Sequence, residues 1–123
     1  MGYHLYITRR CYLDDDSGPE ISKEEWLAIV EHDPELEIFE EKGYPSGEVV
    51  RMCRRDKTGT CTAARYFTYR DGDISVKNPC EPVLKKMLGI ANKIAARVIG
   101  ERNEIYSKEG VPDRPTSFVA GGW

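Results

Sequence analysis

The side chains able to do chemistry in this sequence fall into four groups: two histidines, four cysteines, a dense acidic run and a smaller basic cluster. His4 alternates with Leu5 in a strand-like opening, and His32 closes a helical segment, where a cation suits the helix dipole. A general base needs an orienting partner and a nucleophile within hydrogen-bond reach, and no Ser or Cys is spaced to serve either histidine. Both read as structural or surface residues. No catalytic residue is assigned, and the chain is not expected to be an enzyme.

Cys11, Cys53, Cys61 and Cys80 are widely spaced, with no CxxC and no histidine close by. Zinc sites announce themselves by close ligand pairs, so neither a metal nor a cofactor is expected. Cys53 and Cys61 fall on neighbouring strands, which makes a pair geometrically possible. Free thiols in a reducing cytosol are the simpler reading.

The acids are concentrated. Between Cys11 and Lys42 twelve carboxylates face only Lys23 and Lys42, a local charge of −10 within a chain of net −3. Asp14-Asp15-Asp16 lacks the alternating ligands and central glycine of a calcium loop. Such a run is either a solvated face or an anionic surface for a basic partner, which would also steer rapid association. Arg51, Arg54, Arg55, Lys57, Arg65 and Arg70, interleaved with Tyr66 and Tyr69, have the make-up of a single-strand nucleic-acid surface. The sequence pI of about 5.5 and the absence of any RNP, zinc or helix-turn-helix signature argue against it. Glycine-rich phosphate loops are missing as well. No nucleic acid is expected as a partner.

These groups must be carried by a scaffold. At 123 residues, 40% hydrophobic and 32% charged, the chain suits one globular domain. No run approaches the roughly 20 apolar residues of a membrane span, so no membrane partner is expected. The opening MGYHLYITRR has no apolar signal core, and Tyr6 stands where myristoylation wants Ser or Thr. A cytoplasmic protein is expected.

The organising stretch runs from Cys61 to Val98. Two β-rich segments meet at Asp71-Gly72, which predicts a type I′ hairpin pairing Arg70 with Asp73, Tyr69 with Ile74 and Phe67 with Val76. Alternation then puts Phe67, Tyr69, Ile74 and Val76 on one face, with Thr68, Arg70, Ser75 and Lys77 on the other. Asn78-Pro79-Cys80-Glu81 predicts an N-cap, a first-turn proline and an early glutamate. The helix that follows carries Val83, Leu84, Met87, Leu88, Ile90, Ala91, Ile94 and Ala95, with Val98 and Ile99 extending it until Gly100.

Upstream, Tyr3 to Arg9 reads as a strand with Tyr3, Leu5 and Ile7 inward. Ser22 to Glu25 reads as a capping box with an Ile21–Trp26 staple, opening a helix that Asp33-Pro34 ends. Short strands are predicted near Glu37–Phe39, Glu48–Cys53 and Glu104–Tyr106, with a turn from Gly43 to Gly47. The expected fold is α+β, an antiparallel sheet with two helices on one face, in the order β-α-β-β-β-β-α-β. Residues 1–106 form the domain, and 107–123 a loosely held tail whose Phe118, Val119 and Trp123 fold back or dock on a partner.

The segments HLYITR, ISKEEWLAIVEHDPEL, YRDGDISVKNP and KMLGIANKIAARVIGERNEIY resemble a family of small bacterial proteins with an HLYITR opening, an EEWL helix ending in DPEL, and a DG-I-VKNP entry to a second helix. Small, acidic, single-domain bacterial proteins of this kind are similar to immunity proteins that neutralise secreted antibacterial toxins. That resemblance implies a cognate protein toxin as partner, bound so that its active site is blocked by an acidic surface. The expected contacts are Asp14, Asp15, Asp16, Glu31, Asp33, Glu35, Glu37, Glu40 and Glu41, with Tyr12 and Tyr44 as aromatic anchors. The alternative is a ligand-binding domain or small enzyme, with His4, Tyr6, Arg65 and Tyr69 lining a pocket on the open sheet face.

Overall fold

The computed structural model describes residues 3–10, 18–39 and 48–106. In chain order their elements are β1 (His4–Thr8), α1 (Lys23–His32), β2 (Leu36–Ile38), β3 (Val49–Arg55), β4 (Cys61–Arg70), β5 (Asp73–Lys77), α2 (Glu81–Lys93), β6 (Arg97–Gly100) and β7 (Ile105–Tyr106). The strands form one seven-stranded antiparallel sheet in the order β2-β3-β4-β5-β1-β6-β7, so the fold is α+β. No helix among the described residues is long and apolar enough to cross a membrane.

The β4–β5 hairpin has the expected register, with Arg70 opposite Asp73, Tyr69 opposite Ile74 and Phe67 opposite Val76. Asp71 and Gly72 both take positive φ, 53° and 82°, as a type I′ turn requires. Strand alternation then builds the core. Leu5, Ile7, Val50, Met52, Phe67, Ile74, Val76 and Val98 join Trp26 and Val30 of α1 and Val83, Leu84, Met87 and Ile90 of α2 in one apolar cluster. The start of α1 is a complete capping box, with Glu25 N–H donating to Ser22 Oγ and Ser22 N–H to Glu25 Oε1. Ile21 and Trp26, the staple pair, are both fully buried.

Three local expectations are corrected. Asn78 does not cap α2; its N-cap is Cys80, whose side chain makes no capping bond. Asn78 sits at φ 50° and is occupied by Tyr3, accepting from Tyr3 N–H at 2.8 Å and donating to Tyr3 C=O at 2.7 Å. The second helix stops at Lys93, and Val98 and Ile99 belong to β6, which pairs with β1 through Tyr6–Ile99 and Ile7–Val98. Ala95 at φ 53° makes the break. The order therefore has one strand more than expected. Finally, Cys53 and Cys61 are joined in a disulfide with Cα atoms 5.5 Å apart, while Cys80 is a buried free thiol. The bridge became possible because β3 and β4 are adjacent and their register shifts at Arg54–Arg55.

The disulfide closes a short loop, with a sequence separation of 8. Chain-entropy arguments give such a closure about 2–3 kcal/mol. Reduction, or Cys53→Ser with Cys61→Ser, should lower the unfolding free energy measured in urea by that amount, and an unchanged free energy would refute the assignment.

Candidate binding surfaces

The acidic residues between α1 and β2 form one border of the molecule. Glu31 is exposed in the last turn of α1, and Asp33 is the C-cap of that helix. Asp33 is 8% exposed and fully engaged: Oδ1 accepts Glu35 N–H at 3.0 Å and Oδ2 accepts Lys86 Nζ at 2.9 Å. Burial alone would push its carboxyl upward. The Lys86 ammonium and the Glu35 amide outweigh that, and the net shift is downward. Lys86 also pairs with Glu35, so one ammonium on α2 holds two acids of the border. Burial pulls the Lys86 ammonium down, but its two carboxylate partners raise it overall.

On the edge strand β2, Glu37 accepts from Arg51 Nε at 2.8 Å and Arg55 Nη2 at 3.2 Å. Arg51 in turn lies over the Phe39 ring at 5.5 Å, and Phe39 meets Tyr66 edge-on at 5.3 Å. The next residue of β2, Ile38, pairs with Val50 on the other face of the strand and is 44% exposed. Glu31, Asp33, Glu35 and Glu37 thus follow one another along the end of α1 and into β2, Asp33 and Glu35 tied to α2 through Lys86 and Glu37 tied to β3 through Arg51 and Arg55. Tyr12, Asp14, Asp15, Asp16, Glu40, Glu41 and Tyr44 lie outside the described residues, as does the tail from 107 to 123.

The approach to the acidic run is also anchored. Arg10, 8% exposed, pairs with Asp73 at 2.8 Å and Glu20 at 3.5 Å. Its neighbour Arg9 forms a two-pronged pair with Glu25 and donates to the Ile94 carbonyl. That guanidinium, with the Ser22 amide and hydroxyl, draws the Glu25 carboxyl down to about 2.

A second surface lies on the sheet face turned away from the apolar cluster. A groove of about 620 Å³ is lined by His4, Phe39, Val49, Tyr66, Thr68, Arg70 and Ser75. These side chains share a face by register: Val49 opposes Thr68, and Thr68 opposes Ser75. Arg70 is paired with Glu48 at 3.2 Å, and His4 lies 3.5 Å from Glu101. The pocket expected here from His4, Tyr6, Arg65 and Tyr69 is corrected in three members. Tyr69 belongs to the core side, where its hydroxyl donates to the Ile21 carbonyl at 2.7 Å, and burial raises its pKa. Arg65 shares that parity, and bonds the carbonyls of Asn78 and Ala64. Tyr6 shares the face of His4, with ring centroids 6.1 Å apart, but does not line the groove. The true lining was available from the hairpin register, which already put Thr68, Arg70 and Ser75 together. Phe39 and Val49 needed the β3–β4 pairing, for which no local signal exists.

No family model, curated protein or solved structure matches the chain.

Proposed function

We propose that this is an immunity protein of the antitoxin type, which binds a cognate antibacterial toxin and blocks its active site through the acidic border. The likeness of its segments to small bacterial proteins of that kind is part of this reading. The observation that carries it is the border itself. Glu35 and Glu37 are held in place by Lys86, Arg51 and Arg55, and the same edge strand leaves Ile38 exposed. Interfaces of this type pair an apolar centre with a polar rim, and charges fixed before contact lose little freedom on binding. With both helices read as covering the core face, the border stays open to a partner.

Long-range steering depends on the concentration of acidic charge between Cys11 and Lys42. Replacing Asp14, Asp15 and Asp16 together by Asn should slow association with the toxin about tenfold at low salt and flatten its salt dependence. Stopped-flow association rates at two ionic strengths read this directly. Rates equal to the parent at low salt would remove the acidic surface from the account.

We place the complex in the cytoplasm. The disulfide bears on this, because a reducing cytosol opens such pairs and an oxidising compartment keeps them. Thiol trapping in intact cells should find Cys53 and Cys61 alkylated; a protected pair would move the protein to an oxidising compartment.

The groove supports a second reading, a small ligand bound against Phe39 and Tyr66 with Arg70, Thr68 and Ser75 as its polar contacts. Its size and mixed lining fit an ordinary small-molecule site.

A further inference from the structure

The sheet face turned away from the apolar cluster is shaped by side-chain size. One rung across it is short: Val49 pairs with Thr68, and Thr68 with Ser75. The next rung on the same face is tall, with Arg51 opposite Tyr66 and His4 opposite Lys77. On the other flank stands Arg70, opposite Asp73. Same-face rungs recur every two residues, so the short rung floors the groove of about 620 Å³ while Tyr66, His4 and Arg70 wall it.

Two hydroxyls lie on that floor. Thr68 and Ser75 are half-buried, and neither hydroxyl has a hydrogen-bond partner among the described residues. Each can donate one bond and accept others. The aromatic wall is held in place: Phe39 lies under the Arg51 guanidinium, itself paired with Glu37, and meets Tyr66 edge-on. Tyr66 is 44% exposed and is the one exposed Phe, Tyr or Trp among the described residues. Most cations nearby already have carboxylates, Arg70 with Glu48, Arg51 with Glu37 and His4 beside Glu101. Lys77 differs. It is exposed, makes no ion pair among the described residues, and shares with Tyr66 the lining of an adjoining notch of about 400 Å³.

We propose that the groove binds a small ligand built from one planar ring and one anionic group, a nucleoside monophosphate or an aromatic carboxylate. The inference rests on the small-molecule reading of the groove and gives that ligand its class. The ring stacks on Tyr66, its polar edge bonds Thr68 and Ser75, and the anion meets the point charge of Lys77. A nucleic-acid strand suits this face less well, because it stacks successive bases on successive rings and one exposed ring is present. A ringless anion would leave Tyr66 unused, and a neutral ring would leave Lys77 unused. The inference does not require any partner to be a toxin.

The test titrates the full chain with adenosine monophosphate and with indoleacetate, followed by backbone amide shifts. Adenosine and indole supply the same rings without the anion; inorganic phosphate and acetate supply the anions without a ring. At least one ring-and-anion probe should move the Tyr66, Thr68 and Ser75 amides and bind about tenfold tighter than its neutral ring or its bare anion. Which of the two binds separates a nucleotide from a carboxylate. Lys77→Gln should erase the preference for the charged probe, and Tyr66→Ala should weaken binding about tenfold, the size of one lost stacking contact. Both side chains are exposed, so neither change disturbs the core. Neutral rings that bind as tightly at the same amides, or a preference that survives Lys77→Gln, would overturn the anionic class and leave a small-molecule groove. Probes that move none of these amides up to millimolar concentration would overturn the groove reading with it.

Discussion

Trp26→Ala removes about 3–5 kcal/mol of folding free energy, the range for truncating a large aromatic in a closed core. Trp26 is fully buried, stacks near Phe67 with ring centroids 6.0 Å apart, and lies in the cluster that joins both helices to the sheet. Its indole N–H is among the buried polar atoms with no hydrogen-bond partner. Trp26→Phe gives up some packing but also removes that orphaned donor, so its stability stays within about 1 kcal/mol of the parent. Urea denaturation of both variants measures the contrast. A Phe variant as unstable as the Ala variant would mean that the indole nitrogen is bonded after all.

Lys86→Met costs about 3 kcal/mol, at the low end for breaking a buried pair, because 18% of the lysine side chain still meets water. The loss comes from Asp33, whose carboxylate is left buried with one amide donor. The pH dependence identifies the cause. The Asp33 pKa is lowered on folding, so its contribution is present above the unfolded value of about 4 and is lost as pH falls through the folded one. The gap between parent and Lys86→Met should therefore narrow as pH falls below the ordinary aspartate value of about 4. Asp33→Asn combined with Lys86→Met should recover part of the loss, since no unpaired charge remains. A gap that is flat over this range would assign the effect to lost methylene packing instead.

How far the sequence foretells this molecule depends on the range of the interactions. The β4–β5 hairpin was legible because Asp71-Gly72 dictates both turn and register, and the α1 capping box because its partners are three residues apart. Asn78 had the right local grammar for a cap, yet Tyr3, 75 residues away, takes its side chain. β6 was hidden for a similar reason. Ile94 to Ile99 continues an apolar pattern with no proline or glycine, and alanine at 95 favours helix, but pairing with β1 prevails. The acidic residues were visible as charge. Their cations were not, because Lys86 lies 53 positions from Asp33 and Arg51 14 from Glu37. The disulfide depended on which strands became neighbours, and spacing alone does not determine that.

The central claim is that the chain works by binding a protein toxin. It is tested most directly by recovering the tagged protein from its native cells and titrating the large protein that co-purifies by calorimetry. The account predicts a tight one-to-one complex whose partner kills cells when expressed alone and is harmless when this chain is present. A partner that is harmless by itself, or a protein that recovers only a small molecule seated among Phe39, Tyr66 and Arg70, would contradict it.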